Sequence, residues 1–191
     1  MLTLKQHHQF KVDDIEQVNI EIFDVAYNII GGGDEGDKTS GVSTKEQADH
    51  SLPYILAVAI LDGQVTPEQY RPERIRRSDV QDLLRRVTVS ANAAYSERFP
   101  NEMPCRIEVR LRDGRTLSKE MRDYPGFFTQ PMTWDMALEK FERLAEPYTT
   151  AAERRAIADA VADLENTTVS DLMRLLAGVR GPHGCGGGEH V

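Results

Sequence analysis

The stretch from Ser43 to Gly63, S-T-K-E-Q-A-D-H-S-L-P-Y-I-L-A-V-A-I-L-D-G, constrains what this chain can fold into more than any other. From Tyr54 to Leu61 it is apolar at every position, so a helix here has no polar face to turn toward water and must be enclosed on all sides. Pro53 fits only a first helical turn, because further in its ring strikes the preceding turn. Asp49 or Ser51 can cap that start, and Gly63 can take the left-handed conformation that ends it. The pattern predicts a core helix from about Ser51 to Leu61, with His50 at its mouth.

His50 then has two readings. In one, its ring bonds a neighbouring backbone group and Asp49 caps the helix. In the other, a side chain that titrates near neutral pH, with the cation of Lys45 five residues earlier, lines a pocket where an anionic substrate is held and a proton is moved. Spacing alone leaves both open.

The rest of the chain supplies the frame. Its 191 residues are enough for one domain, or one domain with an appendage. A composition of 40% hydrophobic and 28% charged residues is ordinary for a globular protein, and no apolar run approaches the ~18 residues that span a bilayer. No membrane association is expected, and Met1–Phe10 is too polar for a secretory signal. The net charge of −8 argues against nucleic-acid binding. Two cysteines, Cys105 and Cys185, make neither a disulfide framework nor zinc spacing, so the expected compartment is the cytoplasm and no metal is expected.

Residues 1–13 are polar and read as a frayed N-terminal segment. Val18, Ile20 and Ile22 alternate with Asn19 and Glu21 and mark a half-buried strand. The run G-G-G-D-E-G-D-K-T-S-G that follows resembles a phosphate loop only out of register. Asp37 stands where the lysine belongs, and Asp34 and Glu35 would repel a phosphate, so it reads as a flexible loop or flap. Pro67 sits at a helix-start position, Ser78–Arg86 reads as a short helix, and Val87 and Val89 suggest another strand. The arginines between Arg71 and Arg86 form a basic stretch, read as a solvated face or a rim that attracts carboxylates. Ile107, Val109 and Leu111 alternate before Asp113-Gly114 and a returning strand, Thr116–Met121, which is a hairpin signature. Beyond Pro131 the pattern is wholly helical: Thr133 caps one helix, Thr150 and Glu153 form a capping box for the next, and a third runs from about Ser170 to Ala177. The predicted fold is therefore α+β: a small antiparallel sheet packed with helices around a buried central helix over residues 14–128, C-terminal helices over 129–178, and a glycine-rich tail over 179–191. His183, Cys185 and His190 in that tail could ligate a metal, but the composition reads as a flexible end.

The run K-E-Q-A-D-H-S-L-P-Y, the apolar helix and D-G behind it, then R-I-E-V-R-L-R-D-G-R from Arg106, Y-P-G from Tyr124 and P-M-T-W-D-M-A-L-E-K-F from Pro131 resemble the 2-methylcitrate dehydratase (MmgE/PrpD) family, over roughly Asp14–Leu176. The resemblance implies metal-independent, cofactor-free lyase chemistry on small polycarboxylates, in propionate metabolism for the dehydratases: a base removes a proton next to a carboxylate and a hydroxyl leaves with acid help. It carries His50 over as the acid/base or substrate-binding histidine and Lys45 as the cation near the substrate carboxylates, where the family has arginine or lysine. Related members decarboxylate cis-aconitate or epimerise an amino-diacid, and the same pair could serve all three. Tyr95 stands nearest to the family's catalytic tyrosine, in a stretch too divergent to assign it. Family members are typically more than twice this length, with a larger helical domain that precedes this part and supplies several active-site residues. The expectation is a C-terminal part or split subunit of such a lyase, completed as a homo-oligomer or by a separate helical-domain chain. The competing reading is a non-catalytic remnant or interaction subunit.

Overall fold

The computed structural model describes residues 1–33 and 36–181. Asp34 and Glu35, and residues 182–191 with the tail histidines and Cys185, lie outside the described residues. The chain forms two compact units, 1–130 and 131–191.

In the first unit a helix α1 (Leu2–His7) precedes strand β1 (Ile15–Ile22). This differs from the frayed segment read from the sequence. Leu4 is 2% exposed and joins the core, and one buried side chain in a six-residue helix leaves no repeat to detect. In β1, Ile15, Val18, Ile20 and Ile22 are buried. The odd step from Ile15 to Val18 would turn one of them outward, and a register shift between Ile15 and Gln17 absorbs it. A short helix α2 (Asp24–Ala26) runs into a wider π turn, Tyr27–Gly31. Of the glycines that follow, Gly32 takes φ +105° and Gly33 is required by close approach: a Cβ on Gly33 would lie 2.9 Å from the Asn28 Cα.

Helices α3 (Lys45–Asp49) and α4 (Leu52–Asp62) follow, with His50 and Ser51 between them. Of the two possible caps the structure uses Ser51, whose hydroxyl accepts from the Tyr54 N–H at 3.1 Å. Gly63, at φ +70°, ends the helix. Tyr54, Ala57, Val58 and Ile60 are each fully buried, and Leu52, Ile55, Leu61 and Asp62 are only partly exposed, so most of α4 is enclosed. Burial of each large side chain among them is worth about 1.5–3 kcal/mol.

A lock holds the far end of α4. The Arg74 fork donates to both oxygens of Asp62, at 2.9 and 2.6 Å, and to Asp79 at 3.0 Å. Gln69 donates to Asp62 at 3.0 Å, and its backbone carbonyl accepts from the Tyr54 hydroxyl. The lock is built on α5 (Pro72–Ile75) and α6 (Ser78–Leu84), which bury Ile75, Val80, Leu83 and Leu84 against the core.

The sheet order is β2-β1-β3-β4, with β2 (Val87–Ala91), β3 (Cys105–Leu111) and β4 (Thr116–Met121); a short helix α7 (Ala93–Ser96) follows β2. β3 pairs antiparallel with β1 and β4, and Gly114, at φ +88°, turns the predicted hairpin. β2 corrects the all-antiparallel expectation: Val18 pairs with Val87 and Ile22 with Ala91 in parallel. The helices between β1 and β2 carry the chain back across the sheet, and such a return makes neighbouring strands parallel. One sheet face, with Ile107, Val109 and Leu111, is core; the other carries Arg106, Glu108 and Arg110.

The second unit holds α8 (Trp134–Ala145), α9 (Ala151–Ala162) and α10 (Val169–Ala177), capped by Thr133, Thr150 and Thr168. Arg154 joins α9 to α8 through Glu142 at 2.8 Å and to the turn between them through the Thr149 carbonyl at 2.9 Å. Among the described residues no helix is long and apolar enough to cross a membrane.

Candidate functional site

The break between α3 and α4 puts His50 where the last turn of one helix meets the cap of the next. Its Nδ1 lies 2.6 Å from Asp49 Oδ1 and 3.1 Å from the Glu46 carbonyl. Both partners are acceptors, so Nδ1 carries the hydrogen and Nε2 is left, in the neutral ring, as the lone-pair nitrogen. The Asp49 hydrogen bond, then that to the Glu46 carbonyl, raise the histidine pKa above its ordinary 6.5. Asp49 is therefore an orienting carboxylate rather than the cap of α4.

Lys45 is brought to the same carboxylate from one turn away, with Nζ 3.7 Å from Asp49 Oδ2. Lys45, Asp49 and His50 thus form one connected group. The open depression beside it, about 480 Å³, is lined by His50, Glu46 and Gln47 and by Asp37, Lys38 and Ser40 of the incoming loop. Lys45 is not part of that lining.

The loop is held in place. Asp37 accepts from the Thr39 N–H at 2.7 Å, from the Thr39 hydroxyl at 2.6 Å and from the Ser40 hydroxyl, and these donors, Ser40 first, hold its carboxyl down at about 2. Gln47 accepts from the Ser43 and Thr44 N–H groups at 2.9 and 3.2 Å, closing the start of α3. The Lys38 carbonyl accepts from Ser51, and the Val42 carbonyl from Gln81.

Other sequence candidates find structural partners. Arg74 belongs to the Asp62 lock, Arg77 meets Asp79 at 2.9 Å, Arg85 pairs with Asp82, and Arg86 donates to the Ile15 carbonyl at 3.0 Å. Tyr95 is 6% exposed; burial first, then Glu120, push its hydroxyl up to about 12, and Arg98 lies 5.5 Å from its ring centroid. A second depression, on the open sheet face, is lined by Glu21, Arg106 and Glu108, and Arg106 pairs with Glu108 at 3.7 Å. Among the described residues no group of three histidine, cysteine or acidic side chains gathers that could hold a metal. The sequence reading missed Lys38 at the rim and the role of Asp49; the adjacency of Asp49 to His50 and its four-residue spacing from Lys45 were the available signals for the second.

The α+β unit thus places an oriented histidine and Lys38 at one open depression. The chain belongs to the MmgE/PrpD family: residues 1–166 match the model of the MmgE/PrpD C-terminal domain. It is 26% identical to cis-aconitate decarboxylase of Mus musculus over 88% of this chain and 33% of that protein. It is 31% identical to cis-aconitate decarboxylase of Aspergillus terreus over 66% of this chain and 26% of that one. It is 24% identical to the mitochondrial 2-methylcitrate dehydratase of Yarrowia lipolytica over 85% and 32%. The chain thus spans about a third or less of the length of these curated relatives.

Proposed function

We propose that these residues form the C-terminal part of a lyase that acts on small polycarboxylates, of the 2-methylcitrate dehydratase type. The observation that carries this reading is the Asp49–His50 arrangement, which leaves Nε2 as the available nitrogen at the rim of the depression. A neutral His50 accepts the proton next to a substrate carboxylate, and the imidazolium returns a proton as the hydroxyl leaves. Lys45, whose Nζ lies 3.7 Å from Asp49 Oδ2, adds positive potential for an anionic substrate. The remaining walls of the site come from polypeptide equivalent to the rest of the relatives' length, supplied by a separate helical-domain chain or through a homo-oligomer.

A second reading is decarboxylation of cis-aconitate, which the relatives named for that activity support. The two are separated by assaying the assembled enzyme with 2-methylcitrate, citrate and cis-aconitate and identifying the products. In either case His50→Ala is expected to lower kcat by about 10²-fold or more if the ring transfers the proton. An unchanged rate would leave the ring only its structural bonds to Asp49 and Glu46.

A further inference from the structure

We propose that Ser51 and Gln81 are positioning residues that clamp the backbone of residues 38–43 as a preformed wall of the depression that His50 borders. The inference rests on the reading of that depression as the substrate site. It turns on where the peptide groups of the segment find their hydrogen bonds.

A peptide unit is planar, with its C=O and N–H pointing opposite ways, so a bond at each end fixes how it is turned. Two units held in this way bracket the segment. In the first, the Lys38 carbonyl accepts from the Ser51 hydroxyl at 2.7 Å and the Thr39 N–H donates to Asp37 at 2.7 Å. In the second, the Val42 carbonyl accepts from the Gln81 amide at 3.0 Å and the Ser43 N–H donates to Gln47 at 2.9 Å. Ser40 and Gly41, between the two, line the depression together with His50.

Both clamps start from residues that the fold already fixes. Ser51 is fully buried, follows His50 directly and has every polar group bonded. Its N–H donates to the Ala48 carbonyl at 3.3 Å and its carbonyl accepts from the Ile55 N–H at 3.0 Å. Its hydroxyl accepts from the Tyr54 N–H at 3.1 Å while donating to Lys38. One hydroxyl therefore starts α4 and sets the wall, directly after the histidine. Gln81, on α6, donates to the Ile75 carbonyl at 2.8 Å as well as to Val42, and Ile75 and Val42 are both buried. The stretch that its composition marks as a flexible loop or flap is thus tied at both ends. A wall ordered before the ligand arrives removes the entropy loss of ordering it from the binding step.

The test uses the 191-residue chain, with backbone 15N relaxation of Ser40, Gly41 and Val42 as the first readout. Wild type is expected to give order parameters near the ~0.85 of rigid backbone, and values below about 0.6 mean a mobile flap and overturn the proposal. Ser51→Ala and Gln81→Leu are each expected to bring these amides below about 0.6, and Ser51→Thr, which keeps the hydroxyl, to preserve their order. Arg74→Ala weakens α4 from its other end, through Asp62, and is expected to leave the segment ordered. Equal loss of order in Arg74→Ala and Ser51→Ala, or full order in both Ser51→Ala and Gln81→Leu, overturns the clamp. If Ser51→Ala does not fold, Gln81→Leu decides. The second readout is citrate binding, followed at the His50 ring resonance, which is assigned with His50→Gln. Wild type is expected to shift saturably, Ser51→Ala to bind about tenfold more weakly because only the ordered fraction of molecules is competent, and Ser51→Thr to match wild type. Equal affinity in Ser51→Ala overturns the positioning role and leaves the polycarboxylate reading standing. A wild-type ring that citrate does not move overturns that reading and the part of the wall in binding, while the relaxation data still decide the clamp.

Discussion

Asp49 divides its carboxylate between two neighbours, with Oδ1 2.6 Å from His50 Nδ1 and Oδ2 3.7 Å from Lys45 Nζ. The first contact fixes the tautomer and favours the charged ring. A folded-state pKa raised above 6.5 means that the protonated ring stabilises the fold fully below that value, and that this contribution fades as pH rises through the higher one. For catalysis the same shift places the onset of the neutral, base-competent ring above 6.5. Asp49→Asn keeps an acceptor for Nδ1–H and removes the charge, so the acid limb of the kcat/KM profile of the assembled enzyme is expected to move to lower pH. An acid limb that stays in place would show that another group sets it. His50 could be singled out from sequence because the residues around it carry a family pattern. The role of Asp49 could not, since a carboxylate beside a helix start satisfies a cap rule equally well, and only the side-chain direction separates the two. Lys38 was hidden for a different reason: its place depends on a hydrogen bond from Ser51, thirteen residues later in the chain.

At the scale of elements, periodicity told most where it ran longest. The apolar run of α4, the alternation and D-G turn of β3–β4, and the threonine caps of α8 and α9 all have local physical causes, and each forms where that cause puts it. What was not legible depended on partners distant in sequence. The parallel setting of β2 follows from the helices that separate it from β1, and the order of α1 follows from the burial of Leu4 and the bond from Lys5 to the Ile60 carbonyl. The basic stretch was ambiguous for the same reason, because nothing local distinguishes a solvated arginine from Arg74, whose side chain is 12% exposed and closes on Asp62. Removing it with Arg74→Ala leaves Asp62, 21% exposed, without its bidentate partner and should cost about 2–3 kcal/mol, read as a lower urea midpoint. The Arg74 hydrogen bond is the largest cause of the lowered Asp62 pKa. Its stabilisation is present above the ordinary 3.8 and is lost as pH falls through the lower folded value, so the variant should also lose part of the wild-type decline in stability on acidification. A variant that matches wild type in both measurements would mean that the lock is dispensable.

For the whole molecule, the two units pose different physical problems. In the first, the described residues close a core around α4 and present an open depression with His50 at its rim. An elimination needs the reacting geometry held and water kept away, and a site walled by one short helix and one loop does neither by itself. In the second unit the stripe Val169, Met173 and Leu176, spaced by four and three residues along α10, is 79%, 57% and 43% exposed. Each large apolar side chain left in water forgoes about 1.5–3 kcal/mol of burial, and a contiguous stripe of this kind marks a surface that gains by being covered. We therefore expect the purified 191-residue chain to associate in solution, and Met173→Lys to shift it toward the monomer, as read by sedimentation equilibrium. We also expect the chain alone to dehydrate 2-methylcitrate or citrate far below the ~1–10³ per second of ordinary enzymes, and adding polypeptide equivalent to the rest of the relatives' length to restore turnover. A monomer that turns over either substrate at an ordinary rate would show that these residues complete the site unaided. Association unchanged by Met173→Lys would instead move the contact away from α10 to another exposed surface.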